Sequence, residues 1–268
     1  MSLGRLALAL APALAPLAGC ASNRTLEVPA QSGMSRPAPA TGEDVLRRMH
    51  EAHAGTWYRT LTFRQTTAFA DGRVETWHEA MAIPGRLRID VSPAGRGDAS
   101  IFRNDSLYRF QRGKRERATA FVHPLLILGF DVYGAPPEET IARVRAMRID
   151  LATLSQATWQ GRPVWVLGAE AGDTTVTQAW IDIERLVLVR LLERRPAEGE
   201  SGEPALIDTR FNGYQRLAGG WIAPEVVFRV NGALSLTETY SDIRADVPLD
   251  ARLFDVDEYR RPGWIEAD

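Results

Sequence analysis

Apolar and polar residues alternate along most of this chain, in runs broken at hairpin spacing by turn-forming pairs. Strand side chains point to opposite faces with a period of two, so each run reads as a strand with one buried and one wet face. From Trp57 to Phe69, Trp57, Leu61, Phe63 and Phe69 fall on one side, and Thr60, Thr62, Arg64 and Thr66 on the other. Asp71-Gly72 supplies a hairpin turn. A second strand, Arg73 to Ile83, sets Trp77, Met81 and Ile83 on one face; after Pro84-Gly85 a third, Arg86 to Ser92, sets Leu87, Ile89 and Val91 there. These are long neighbouring antiparallel strands with one apolar face.

Short strands are expected at Ser100–Asn104, Leu107–Gln111 and Arg115–Ala120. A longer series follows at Arg148–Trp159, Pro163–Glu170, Thr174–Ile183, Leu186–Arg194, Ala205–Arg216, Ile222–Asn231 and Ala233–Ile243. Asn104-Asp105, Gly161-Arg162 and Asn231-Gly232 are among the turns between them. Three helices interrupt the pattern. Thr41 caps the first, with Asp44 in the capping-box position and Val45, Leu46 and Met49 at helical spacing; it ends near Gly55. His123–Val132 is apolar on nearly every side with proline second, which suits a short buried helix. Pro137–Met147 has proline at its start, acids in its first turn and arginines toward its end.

The first twenty residues are an address rather than part of the fold. One charge at Arg5 precedes an apolar run from Leu6 to Leu17, too short for the roughly 20 residues of a spanning helix, so the segment reads as a secretory signal. Leu17-Ala18-Gly19-Cys20 resembles the lipobox of bacterial lipoproteins. That resemblance implies cleavage after residue 19, acylation of Cys20, attachment to the membrane by an N-terminal lipid anchor and no free thiol. Ala21, rather than aspartate, implies the outer membrane, facing the periplasm. Residues 20–42 are the acylated cysteine and a Pro-, Ser- and Gly-containing tether, and residues 43–268 form one domain.

Several segments of that domain, in their order, resemble the LolA/LolB-like superfamily of periplasmic lipoprotein carriers and related regulators. They are the helix Asp44–His53, Phe63-Arg64-Gln65, Pro84-Gly85-Arg86-Leu87-Arg88-Ile89, Ala179-Trp180-Ile181-Asp182 running into Leu186–Arg190, Gly220-Trp221-Ile222-Ala223-Pro224-Glu225, and Pro248–Asp255. The resemblance implies a mainly β fold, an unclosed antiparallel β-barrel or half-barrel with short helices covering an apolar concave face. The expected function is a membrane-tethered, non-enzymatic protein that binds lipid or lipoprotein acyl chains, in lipoprotein sorting or envelope lipid transport. An envelope regulator or structural module binding another envelope protein through the same fold is the alternative.

The inferred apolar face supplies the candidate cavity: Trp57, Leu61, Phe63, Trp77, Met81, Ile83, Leu87, Ile89, Tyr108 and Phe110. Leu125, Leu126, Ile127, Leu128 and Phe130 are the candidate lid. For any single one of these residues plain core packing is the commoner role. Glu79 breaks the pattern, since alternation sets it between Trp77 and Met81; it stands either at the barrel rim or as a polar contact for a ligand head.

Other chemistries find little support. A net charge of −2 offers no field for nucleic acid. The basic stretch Arg109, Arg112, Lys114, Arg115 and Arg117 reads as a solvated hairpin, with anionic lipid heads as the alternative. His50, His53, His78 and His123 are scattered, and His78-Glu79 lacks the second histidine of a zinc protease motif, so no metal or cofactor is expected. There is no nucleophile elbow, phosphate loop or dinucleotide fingerprint.

Overall fold

A computed structural model describes residues 37–195 and 204–265. The signal, Cys20 and most of the tether lie outside these residues. From Pro39 onward the described residues form one compact unit.

The chain enters through α1 (Gly42–His53), capped as its sequence predicts: Asp44 N–H donates to Thr41 Oγ1, and the Asp44 carboxylate accepts from Thr41 N–H. Five strands follow as β1 (Thr60–Phe69), β2 (Val74–Ala82), β3 (Arg86–Val91), β4 (Ala99–Arg103) and β5 (Ser106–Gln111), with two short ones, β6 (Lys114–Arg115) and β7 (Thr119–Ala120). Then come α2 (Pro124–Gly129), a 3-10 turn at Asp131–Tyr133 and α3 (Pro137–Ala146). The second strand series is β8 (Leu154–Trp159), β9 (Arg162–Leu167), β10 (Gln178–Asp182), β11 (Leu188–Arg195), β12 (Ala205–Asn212), β13 (Gln215–Leu217), β14 (Gly220–Ile222), β15 (Glu225–Val230) and β16 (Ala233–Ala245). The strand expected from Arg148 begins only at Leu154, because Arg148 turns to positive φ and Asp150 caps the next turn through Ala152 N–H and Thr153 Oγ1.

One antiparallel sheet runs β6-β5-β4-β3-β2-β1-β16-β15-β12-β11-β10-β9-β8, with β7 against β5; its terminal strands do not meet. Two-residue turns with both φ values positive set its registers. They fall at Asn104-Asp105, Arg112-Gly113, Gln160-Gly161 and Asn231-Gly232, the geometry that matches strand twist. The pairing of β1 with β16 joins the two series across the length of the chain.

Flat, the eight strand steps from β5 to β11 would separate those strands by about 38 Å. Residues of both strands nevertheless line one cavity, so the sheet is curled into an open half-barrel. Its concave face shares one apolar core with the helices: Val45, Leu46 and Met49 of α1 and Ile127 and Leu128 of α2 are buried with Leu61, Phe63, Val164 and Leu191. No helix of the described residues is long and apolar enough to cross a membrane.

The convex face is not left to water. The segment after β16 folds back over β2–β5, burying Leu253 and Phe254 against Ala80 and Ala82, and packing Val256 and Tyr259 on Ala99, Ile101 and Phe110. Beneath it Arg88 makes a two-bond pair with Asp90, at 2.7 and 2.8 Å. Arg88 also donates to Leu253 O at 2.8 Å and Arg260 O at 2.7 Å. A buried charge pair is tolerated where its remaining donors are satisfied, as here.

Candidate functional site

A cavity of about 350 Å³ lies on the concave face between the two arms of the sheet. Alternation fixes its walls. Trp77 and Met81 of β2, Leu87 and Ile89 of β3, Phe102 of β4 and Leu107 of β5 form one side. Phe211 of β12, Val226 and Phe228 of β15, and Ile222 form the other. Leu125 and Leu126 of helix α2, with Phe130 just after it, close the cavity. Such a volume is at the small end of ligand sites, and its apolar walls suit hydrocarbon.

Only part of the candidate set is brought together here. Trp77, Met81, Leu87 and Ile89 line the cavity, as do Leu125, Leu126 and Phe130 of the lid. Leu61 and Phe63 belong to the solid core beneath; Phe63 lies 4.3 Å from the Tyr240 ring, which itself faces the cavity. Trp57 stacks on Tyr133 at 3.6 Å and, with Ile83, borders a separate hollow. Leu128 and Ile127 point from α2 into the core rather than into the cavity.

Tyr108 and Phe110 are a correction. They occupy the convex face under Val256 and Tyr259, and the inward residues of β5 are Leu107 and Arg109. The C-terminal segment makes both faces of this strand apolar, so alternation alone could not choose between them. The far wall, Phe211, Val226 and Phe228, escaped the sequence reading for a related reason. Alternation predicted its strands, but their side of the sheet depends on the β1–β16 pairing between residues far apart in sequence.

The lid helix has hollows on both sides. Phe102, Phe121, His123 and Leu126 border the inner cavity and also an outer hollow of about 340 Å³ that contains Asp131 and Arg143. His123 caps α2, its Nδ1 accepting from Leu126 N–H at 3.2 Å. Burial lowers this imidazole to about 4, so it is neutral at pH 7. Asp131 accepts from Gly85 N–H at 2.8 Å, and burial raises it to about 6. The imidazole that caps α2 therefore adds no charge to the cavity at pH 7.

Three carboxyls face the cavity: Glu79, Glu193 and Glu238. Glu79 is not at the rim; it is 5% exposed, and burial, with Glu238 nearby, pushes it well above the ordinary carboxyl range. Glu238 accepts from the Tyr240 hydroxyl at 3.0 Å and is raised by burial to about 7. Glu193 reaches Arg195 at 3.8 Å, with its pKa also raised by burial. Among the described residues no group of three or more His, Cys, Asp or Glu side chains could hold a metal ion.

No family model and no curated protein matches the chain. Solved structures do. An outer membrane lipoprotein-sorting protein domain from Vibrio parahaemolyticus superposes with a TM-score of 0.51 at 13% identity, covering 80% of this chain and 96% of its own. A DUF1329 family protein from Desulfovibrio piger gives 0.50 at 12% identity, covering 80% and 95%. A LolA superfamily protein from Nitrosomonas europaea gives 0.48 at 13% identity, covering 81% and 98%. The open half-barrel of this chain is therefore the fold of the lipoprotein-sorting domain structures.

Proposed function

We propose that this protein is a non-enzymatic, lipid-anchored envelope protein that holds the hydrocarbon part of a lipid or lipoprotein in its half-barrel. The observation that carries the reading is the apolar-walled cavity between the two arms, closed by one short helix. Each methylene taken from water contributes about 0.8 kcal/mol, so a ten-carbon chain contributes roughly 8 kcal/mol before the costs of ordering it. The likeness to the Vibrio outer membrane lipoprotein-sorting domain supports a role in moving or sorting such cargo. Leu17-Ala18-Gly19-Cys20 supports an acyl tether, and Ala21 supports outer-membrane residence facing the periplasm.

Binding of a neutral fluorescent hydrocarbon probe tests the reading. The protein should bind the probe in the cavity, and Val226→Trp, which fills the cavity, should weaken binding at least about tenfold while the protein stays folded. Undiminished binding in Val226→Trp would remove the cavity from the reading. Failure of the wild type to bind, with capture of an envelope protein instead, would favour the regulator alternative. Labelled palmitate should be incorporated by the wild type and not by Cys20→Ser.

A further inference from the structure

Five acidic side chains are buried among the described residues: Glu79, Asp90, Asp131, Asp182 and Asp208. Four of them have an arginine. Asp90 meets Arg88 at 2.7 Å, Asp131 meets Arg143 at 3.7 Å, Asp182 meets Arg162 at 2.5 Å and Asp208 meets Arg190 at 2.8 Å. Glu79 has neither a salt bridge nor a hydrogen bond within the described residues, and it faces the cavity. This chain pairs its other buried acids with guanidinium groups, so the missing cation at Glu79 stands out.

We infer that the cavity recognises a cationic nitrogen: its occupant is an amphiphile with a hydrocarbon body and a protonated amine head, which pairs with Glu79. The inference rests on the cavity reading above and adds the head group to it. Three features favour an amine over a hydroxyl or a carboxylate. First, Glu79 and Glu238 both line the cavity and oppose each other's charge, so a cation that neutralises them is favoured there over an anion that adds another negative charge. Second, the arginines bordering the cavity, Arg109 and Arg195, are both exposed, and Arg195 is 3.8 Å from Glu193. Third, the rings of Trp77 and Tyr240 stand beside the acids, where aromatic faces add attraction for a desolvated cation. Without ligand, Glu79 and Glu238 favour their protonated forms; when the ammonium pairs with Glu79, the carboxyl proton is released to solvent.

Three probes with one tail and different heads isolate this claim: decylamine, decanol and decanoate, each displacing the neutral fluorescent hydrocarbon probe from the full chain. Decylamine should bind at least about tenfold more tightly than decanol, the size of one charge-assisted hydrogen bond, and decanoate should bind most weakly. Glu79→Gln, close in shape, should bring decylamine and decanol to within about twofold while leaving decanol unchanged. Decanol matching decylamine in the wild type, or an amine preference that survives Glu79→Gln, would overturn the amine assignment and leave the apolar cavity standing. Failure of all three probes would overturn the cavity reading and the assignment with it.

Discussion

Strands β2 and β3 bury acidic side chains on both of their faces, and the two faces satisfy them differently. On the convex side Asp90 is locked by Arg88, whose remaining donors reach Leu253 O and Arg260 O beneath the C-terminal segment. On the concave side Glu79 is also buried, but it faces the cavity and has no cation beside it among the described residues. A fully satisfied buried charge network fixes a surface in place. An unsatisfied one beside open volume leaves an interaction for something else to make. The convex face thus closes around its charges, whereas the concave face leaves open volume beside one, the volume that the proposal above fills with a ligand.

The largest expected effect attacks the sealed side. Arg88→Met strands Asp90 under the C-terminal segment and should cost about 3–5 kcal/mol in urea unfolding, the usual loss when one partner of a buried pair is removed. A loss near zero would mean the pair is not what holds the segment down.

The concave acids should act in the opposite direction. Folded Glu79 and Glu238 hold protons that the unfolded chain releases above pH 4.5, so the native state binds more protons and stability falls as pH rises from about 4.5 through 7. The slope should be on the order of 1 kcal/mol per pH unit, and it should largely vanish in the double variant Glu79→Gln, Glu238→Gln. Unfolding free energies measured at a series of pH values check this. Because the buried His123 contributes a slope of opposite sign between about pH 4 and 6.5, the comparison decides: a slope left unchanged by the double variant would mean the acids are not buried as described.

Two smaller changes sharpen the division. Leu125→Ala on the lid should weaken a decyl probe about fivefold, with little change in melting temperature, because this side chain is half-buried and faces the cavity. Thr41→Ala, at the start of α1 and remote from both acids in sequence, should lower stability by about 1 kcal/mol and leave probe affinity unchanged. Calorimetry and titration separate the two.

Much of this architecture was legible in local chemistry. Thr41 and Asp44 announced the first helix, Asn231-Gly232 a hairpin, and the alternation through Trp77, Met81, Leu87 and Ile89 one wall of the cavity. What stayed hidden depends on contacts distant in sequence. Tyr108 and Phe110 obey the same alternation as the wall but are claimed by a C-terminal segment about 150 residues away. Arg88 and Asp90 alternate with Leu87 and Ile89 and so read as solvent-facing, until that segment buries them. Glu79 was conspicuous from its neighbours, yet only the curl of the sheet places it deep rather than at the rim.

Native mass spectrometry of the protein purified from its own membranes, followed by extraction of what it carries, tests the division between the two faces most directly. A hydrocarbon amphiphile should accompany the wild type in addition to any anchor at Cys20, and should be depleted from Val226→Trp. Wild-type protein that leaves the membrane with nothing in the cavity would contradict it.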